Sequence, residues 1–303
     1  MTEVRHFLDV DDLEPDELAD LLAQAAIRRD HPDRVNPTPL TRRTLAMLFE
    51  KPSTRTRVSF ETGMTRLGGH AIFLGPDVTQ LDRGEPLKDT ARALSGYVDA
   101  IMARVFAHDH LEELAAYASV PVINALSDVA HPCQTLADLL TIDDVVGFDA
   151  DPQIAWVGDG NNVARSFAVG CAMLGLDLTI ATPPGYEVGD DILDRTAAFD
   201  GRPCTTTDPR TAVSEADVVY TDVWVSMGQE DDRAAKLSSF EEFQLDTELL
   251  AMAADDVAVL HCLPAHRGEE ITDDVIESEH AVVWRQAENR MHAQNALLID
   301  LID

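Results

Sequence analysis

The sequence predicts an α/β protein of two domains, each a parallel sheet with helices on both faces, and an active site in the interdomain cleft. Three observations carry that expectation. Short apolar runs alternate with amphipathic segments nearly throughout the chain, the pattern of strands that pair in parallel and are covered on both faces. At 303 residues, 45% of them hydrophobic, the chain buries more than one ordinary core. The stretch GFDADPQ, residues 147–153, is the clearest break in the alternation. The expected domains are therefore 1–147 and 148–285, with a helical segment 286–303 packing back on the first.

The first strand is read at Leu45–Phe49, inside the apolar run TLAMLF, followed directly by a helix. Further strands are read at Ala71–Leu74, Ala100–Arg104 and Pro121–Asn124, with helical patterns at Leu87–Tyr97, Leu111–Ala118 and Leu136–Val146. Beyond the break, strands are read at Gln153–Val157, Leu178–Ala181, Val218–Thr221, Val257–His261 and Val282–Trp284. The segment Asn162–Leu174 reads as a helix between the first two of these.

Charge excludes several functions. The net charge is -32, from 55 acids and 23 bases, of which only Lys51, Lys88 and Lys236 are lysines. Such a surface repels nucleic acid and anionic membranes. The acids are scattered rather than massed in a tail, so they suit a folded surface bathed in concentrated salt, as in a halophile. No run of about 18 apolar residues is present and the first thirty residues lack a signal-peptide pattern, so a cytoplasmic protein is expected. Cys133, Cys171, Cys204 and Cys262 are widely spaced without a CxxC. His131/Cys133 and His261/Cys262 have no further ligands at metal-binding spacing, so no metal is expected.

Ligands of parallel α/β units bind beyond the carboxyl ends of strands, where helix N-termini offer free N–H groups. FEKPSTRTRVSFE (49–61) puts Ser53, Thr54, Arg55 and Thr56 at such a corner, a set of hydroxyls, amides and a guanidinium that suits phosphate. Arg57 is expected to pair with Glu61 one turn on. HPCQTLAD (131–138), DVWVSMGQE (222–230) and HCLPAHRGEE (261–270) follow other strand ends. Polar loops at the same edge of both sheets favour one shared cleft.

These four segments, in this order and spanning nearly the whole chain, resemble the signatures of the aspartate/ornithine carbamoyltransferase family; the last two are similar to its ornithine branch. The resemblance implies transfer of a carbamoyl group from carbamoyl phosphate to L-ornithine, giving citrulline and phosphate, in arginine synthesis or, in reverse, arginine breakdown. It implies that Ser53, Thr54, Arg55 and Thr56 hold the phosphate, and that Arg104, His131, Gln134 and Arg290 bind the carbamoyl end. Gln80 matches a residue that the family's trimers lend to a neighbouring site. Asn162 (or its neighbour Asn161), Asp222, Ser226 and Met227 match ornithine-binding positions, and Cys262 and Leu263 complete the site for both substrates. Catalysis would rest on Arg55, Arg104, His131 and Cys262, without a cofactor, in a homotrimer or a multiple of trimers. Putrescine or an acylated ornithine is the alternative acceptor.

Other readings are weaker. WVGDGNNVARSF (156–167) has the Gly-x-Gly of a dinucleotide fold after a strand, but no third glycine in place and no acid ending the next strand. A hydride-transfer enzyme and a non-catalytic amino-acid-binding module are therefore disfavoured.

Overall fold

The computed structural model describes residues 4–76, 84–225 and 233–302. The chain forms two compact units, Met1–Ala137 with Asn289–Asp303, and Asp138–Glu288.

In the first unit, helix α1 (Pro15–Asp30) starts at a Glu14/Glu17 capping box with Pro15 in its first turn. It buries Leu18, Leu21, Leu22 and Ala25, one face at helical spacing. Strand β1 (Thr44–Phe49) leads into α2 (Thr54–Arg66), then β2 (His70–Leu74), α3 (Leu87–Ser95), β3 (Ala100–Arg104), α4 (His108–Tyr117) and β4 (Val122–Leu126). The sheet is parallel, in the order β2-β1-β3-β4. From β1 the chain moves outward to β2, and from β3 it moves outward the opposite way to β4. Right-handed crossovers then place α2 on one face and α3 with α4 on the other. Beneath α3 and α4 lies a core of Ala46, Leu48, Ala91, Ile101, Ala103, Leu111 and Leu114. Arg57 pairs with Glu61 at 3.1 Å, as its spacing predicts, and its guanidinium lies 3.9 Å from the Phe73 ring centroid.

Helix α5 (Pro132–Val145) precedes the second sheet. That sheet comprises β5 (Gln153–Val157), β6 (Asp177–Ala181), β7 (Cys204–Thr206), β8 (Val218–Thr221) and β9 (Ala258–His261). It is parallel, in the order β7-β6-β5-β8-β9. Helices α6 (Asn162–Met173) and α7 (Asp190–Thr196) connect β5 through β7. Helix α8 (Pro209–Val213) leads to β8, and α9 (Arg233–Ser239) and α10 (Thr247–Leu250) lead to β9. The short α11 (Asp273–Ile276) precedes the long α12 (Val283–Ile302). Within this unit the buried cluster includes Ala155, Val157, Val219, Val259, Phe240 and Ile271.

Two differences from the sequence reading are instructive. Val282–Trp284 is not a strand. Ala281 makes a single parallel bridge to Val259, after which Val283 opens α12. Three apolar residues fit either period, and the backbone bond from Gln286 N to Val282 O shows the helix winning. The strand β7 is the converse case. CTT is short, polar and exposed, so it carried no apolar signal and forms the sheet edge by backbone pairing.

Candidate active site

Each sheet changes direction at one place: between β1 and β3 in the first unit, and between β5 and β8 in the second. Diverging loops leave a crevice at such a switch point. Several of the predicted site residues that the structure describes lie on strand ends and helix starts of the two sheets.

In the first unit, Ser53 is the N-cap of α2, its Oγ accepting from Thr56 N at 3.3 Å and donating to Thr56 Oγ1 at 3.0 Å. The first N–H groups of the helix therefore point past β1 with the positive end of the dipole. Arg104 ends β3 opposite Phe49 and is buried. His131 precedes α5 and Gln134 lies in its first turn, both buried. From α12, Arg290 donates to the Gln134 side chain and, at 2.9 Å, to Thr56 Oγ1. Burial pushes the His131 imidazole well below its usual range, and Arg290, Arg104 and Arg55 push it further the same way. The Arg290 bonds bring α2, the α5 entrance and α12 together, and the charges of Arg104 and Arg55 are near enough to act on the same ring. The imidazole there is neutral, with one N–H to donate.

The sequence reading passed over Lys51, although it lies inside the quoted motif. It is buried, with Nζ 4.8 Å from the Phe106 ring centroid. Desolvation and then Arg104 lower its pKa. One of only three lysines in so acidic a chain, standing two residues before Ser53, was the available signal. Cys133, one residue into α5, is pushed up to about 12 by burial and is inert packing.

In the second unit, Asp222 follows β8 and is held from two sides. Asn161 Nδ2 donates to its Oδ2 at 2.9 Å, and Cys262 Sγ donates to its Oδ1 at 2.9 Å. Each oxygen keeps a further lone pair for a cation. Asn161 is also the N-cap of α6, its Oδ1 accepting from Val163 N and Ala164 N at 2.9 and 3.1 Å. Both ends of that amide are engaged within the protein. Asn162 is the first residue of α6.

His261 fixes the chain around Cys262. Its Nδ1 accepts from Leu263 N at 2.9 Å, and its Nε2 lies 3.0 Å from Glu270 Oε1. Asp222, His261 and Cys262 come close enough to suggest a metal, but these protein bonds occupy both imidazole nitrogens. Leu263 has φ 59, a left-handed backbone. The Gly-x-Gly of the dinucleotide reading has another cause: a Cβ on Gly160 would stand 2.4 Å from Val188 N. Asp138 of the second motif is structural, accepting from Tyr220 Oη at 3.0 Å and Gln286 Nε2 at 2.7 Å. Gln80, Ser226 and Met227 lie outside the described residues.

Comparison with known proteins matches both units. Residues 5–144 match the family description "Aspartate/ornithine carbamoyltransferase, carbamoyl-P binding domain", and residues 150–301 match the "Asp/Orn binding domain" of the same family. The chain belongs to the aspartate/ornithine carbamoyltransferase family. Among its relatives, an ornithine carbamoyltransferase of Haloquadratum walsbyi is 57% identical, covering 100% of this chain and 99% of the relative. The solved ornithine carbamoyltransferase of Pyrococcus furiosus has a TM-score of 0.92 at 48% identity, covering 98% of this chain and 97% of that one. The anabolic ornithine carbamoyltransferase of Campylobacter jejuni has a TM-score of 0.92 at 39% identity, covering 98% and 99%. The parallel two-sheet fold expected from the sequence is that of these carbamoyltransferases.

Proposed function

We propose that this chain transfers the carbamoyl group of carbamoyl phosphate to the δ-amine of L-ornithine, releasing citrulline and phosphate. The observation that carries the reading is the opposite polarity of the two crevices. In the first unit the charges of Arg290, Arg104 and Arg55 act on one buried imidazole, with Arg290 bonded to Thr56, while a carboxylate held by Asn161 and Cys262 lies in the second. The first suits a phosphate with a reactive carbonyl. The second suits an amino acid's ammonium and would repel the extra carboxylate of aspartate. Full-length likeness to proteins named for ornithine supports the same choice.

In this reading Ser53, Thr54, Arg55 and Thr56, with the α2 N-terminus, hold the leaving phosphate. Arg104, the His131 N–H and Gln134 face the carbamoyl group, with Arg290 fixing Gln134 and Thr56. As the amine nitrogen bonds to the carbonyl carbon, charge grows on the carbonyl oxygen and then passes to phosphate as the C–O bond breaks. Preformed N–H donors stabilise that charge without reorganising. An alkylammonium has a pKa near 10.4, so the δ-amine must lose one proton to solvent before attack, and the second proton of the nitrogen passes to the departing phosphate. Asp222 pairs with the α-ammonium, Asn162 and Leu263 line the acceptor, and Cys262 is oriented by Asp222 to contact both substrates. Gln80, Ser226 and Met227 are proposed to join the site by their motif positions. A homotrimer or multiple of trimers, a cytoplasmic location and a salt-rich milieu belong to the same proposal. Among the described residues, no helix is long and apolar enough to cross a membrane.

Citrulline and phosphate formation from carbamoyl phosphate and ornithine, with aspartate, putrescine and acetylornithine as parallel acceptors, tests the assignment. Ornithine should be preferred by at least a hundredfold over aspartate. Comparable rates with both would overturn it.

A further inference from the structure

Arginine supplies nearly all the positive charge of this chain; only Lys51, Lys88 and Lys236 are lysines. Two of the three, Lys51 and Lys236, are buried. Lys51 sits at the anion crevice already described. Lys236 lies in α9, with 6% of its surface exposed. Its Nζ is 2.6 Å from Asp159 Oδ2, and the side chain of Asp159 is 10% exposed. The ammonium also lies 5.4 Å from the Tyr186 ring centroid and 5.9 Å from that of Phe240. Two aromatic faces and a carboxylate together hold it in place.

A buried ion pair is a poor stabiliser, because desolving two charges costs about what their attraction returns. Its position suggests another role. Asp159 follows β5, two residues before Asn161, which both caps α6 and donates to Asp222. The main chain is tied there too, Asp159 O accepting from Trp156 Nε1 at 3.1 Å. Burial and the nearby Asp222 both push the Asp159 carboxyl up, while Lys236 opposes them. Without the ammonium, Asp159 would either repel Asp222 or take up a proton and turn.

We propose that Lys236 is a positioning residue for the acceptor amino acid: by pairing with Asp159 it holds the turn carrying Asn161 and leaves the charge of Asp222 for the substrate ammonium. This rests on the assignment of Asp222 to the acceptor. Lys236 need not touch either substrate.

Steady-state kinetics of the full chain test it, with ornithine and carbamoyl phosphate varied separately. Lys236→Met should raise the KM for ornithine about tenfold or more and leave the KM for carbamoyl phosphate within about twofold. Adding Asp159→Asn to Lys236→Met removes the uncompensated carboxylate and should recover most of the loss. Lys236→Arg should recover part of it. A purely structural role predicts that both KM values or kcat change together and that the double variant is worse than either single one; that result overturns the proposal, as does an unchanged ornithine KM. Should Lys236→Met fail to fold, Asp159→Asn alone decides: its stranded ammonium should compete with the substrate's for Asp222 and raise the ornithine KM, and no rise overturns the proposal. A parent enzyme inactive with ornithine would instead reject the acceptor assignment itself.

Discussion

The two crevices share an architecture and differ in nearly everything else. Both open at the switch point of a parallel sheet, and both use the residues just past two neighbouring strands. The first unit fills its crevice with arginines, which stay protonated however deeply they are buried. Burial first, and then their field, push the His131 imidazole well below its usual range. The second unit fills its crevice with carboxylates and a thiol, whose charge depends on surroundings. Asp159 there has a buried lysine against it, and Asp222 is tied by an amide and a thiol. An anion site can be made by gathering permanent cations; a cation site made of carboxylates also needs neighbours that keep them charged and aimed.

The largest effect expected from breaking this pattern lies in the first unit. Arg55→Ala should cut kcat/KM by about 100–1,000-fold, since the loss of one preformed donor to the charge that passes to the leaving phosphate is worth about 2.7–4 kcal/mol. Circular dichroism should be unchanged, because Arg55 is half-buried at a helix start rather than in the core. Turnover within threefold of the parent would refute the phosphate role.

Asp222→Asn is its counterpart in the second unit and keeps the shape while removing the charge. A hydrogen bond to a charged group contributes about 1.5–3 kcal/mol, so kcat/KM for ornithine should fall about 10–100-fold. The KM for carbamoyl phosphate should not follow. Equal losses for both substrates would mean that the two crevices do not divide the substrates as proposed.

The same contrast explains what could be read from the sequence. The first crevice was legible because STRTR is compact and its chemistry is local: a cap, a helix start and a guanidinium within four residues. Arg104 and His131 were found through the family resemblance, since an arginine closing a strand and a lone histidine carry little signal alone. In the second crevice Asp222 and Cys262 came the same way. Asn161 enters the sequence reading only as the alternative to Asn162, and Lys236 only as one of three lysines, because their work consists of contacts across 61 and 77 positions of sequence. Val282–Trp284 and β7 failed for a different reason: three-residue segments have no measurable period, and pairing with neighbours decides their state.

A smaller effect concerns stability rather than rate. His131 has a folded-state pKa below its unfolded value near 6.5. Below that value the unfolded chain binds a proton that the native state refuses. Stability is therefore present above about pH 6.5 and lost as pH falls, by up to about 1.4 kcal/mol per pH unit until the folded pKa is reached. His131→Gln cannot protonate, so its disadvantage against the parent should shrink steadily from pH 7 to pH 5 in urea unfolding. His6, lowered by burial, remains in both proteins and gives both the same sign of slope. A parallel pair of curves would show that His131 is protonated in the native state.

The smallest effect separates the crevices by salt. With a net charge of -32, self-repulsion is screened over about 10 Å at 0.1 M salt and about 3 Å at 1 M. The unfolding midpoint should therefore rise between those concentrations, and activity lost on standing at 0.1 M should be retained at the higher salt. Contacts inside the crevices are close and buried, so salt weakens them far less than it weakens surface repulsion. Chloride nonetheless resembles the ligand of the first crevice more than that of the second. The KM for carbamoyl phosphate should rise a few-fold across the series, and the KM for ornithine less. Incubating one preparation at each salt and assaying at a single salt gives the stability arm; assaying each at its own salt gives the binding arm. A larger rise for ornithine than for carbamoyl phosphate would reverse the polarity assigned to the two units, whereas full stability at 0.1 M would reject only the role given to surface charge.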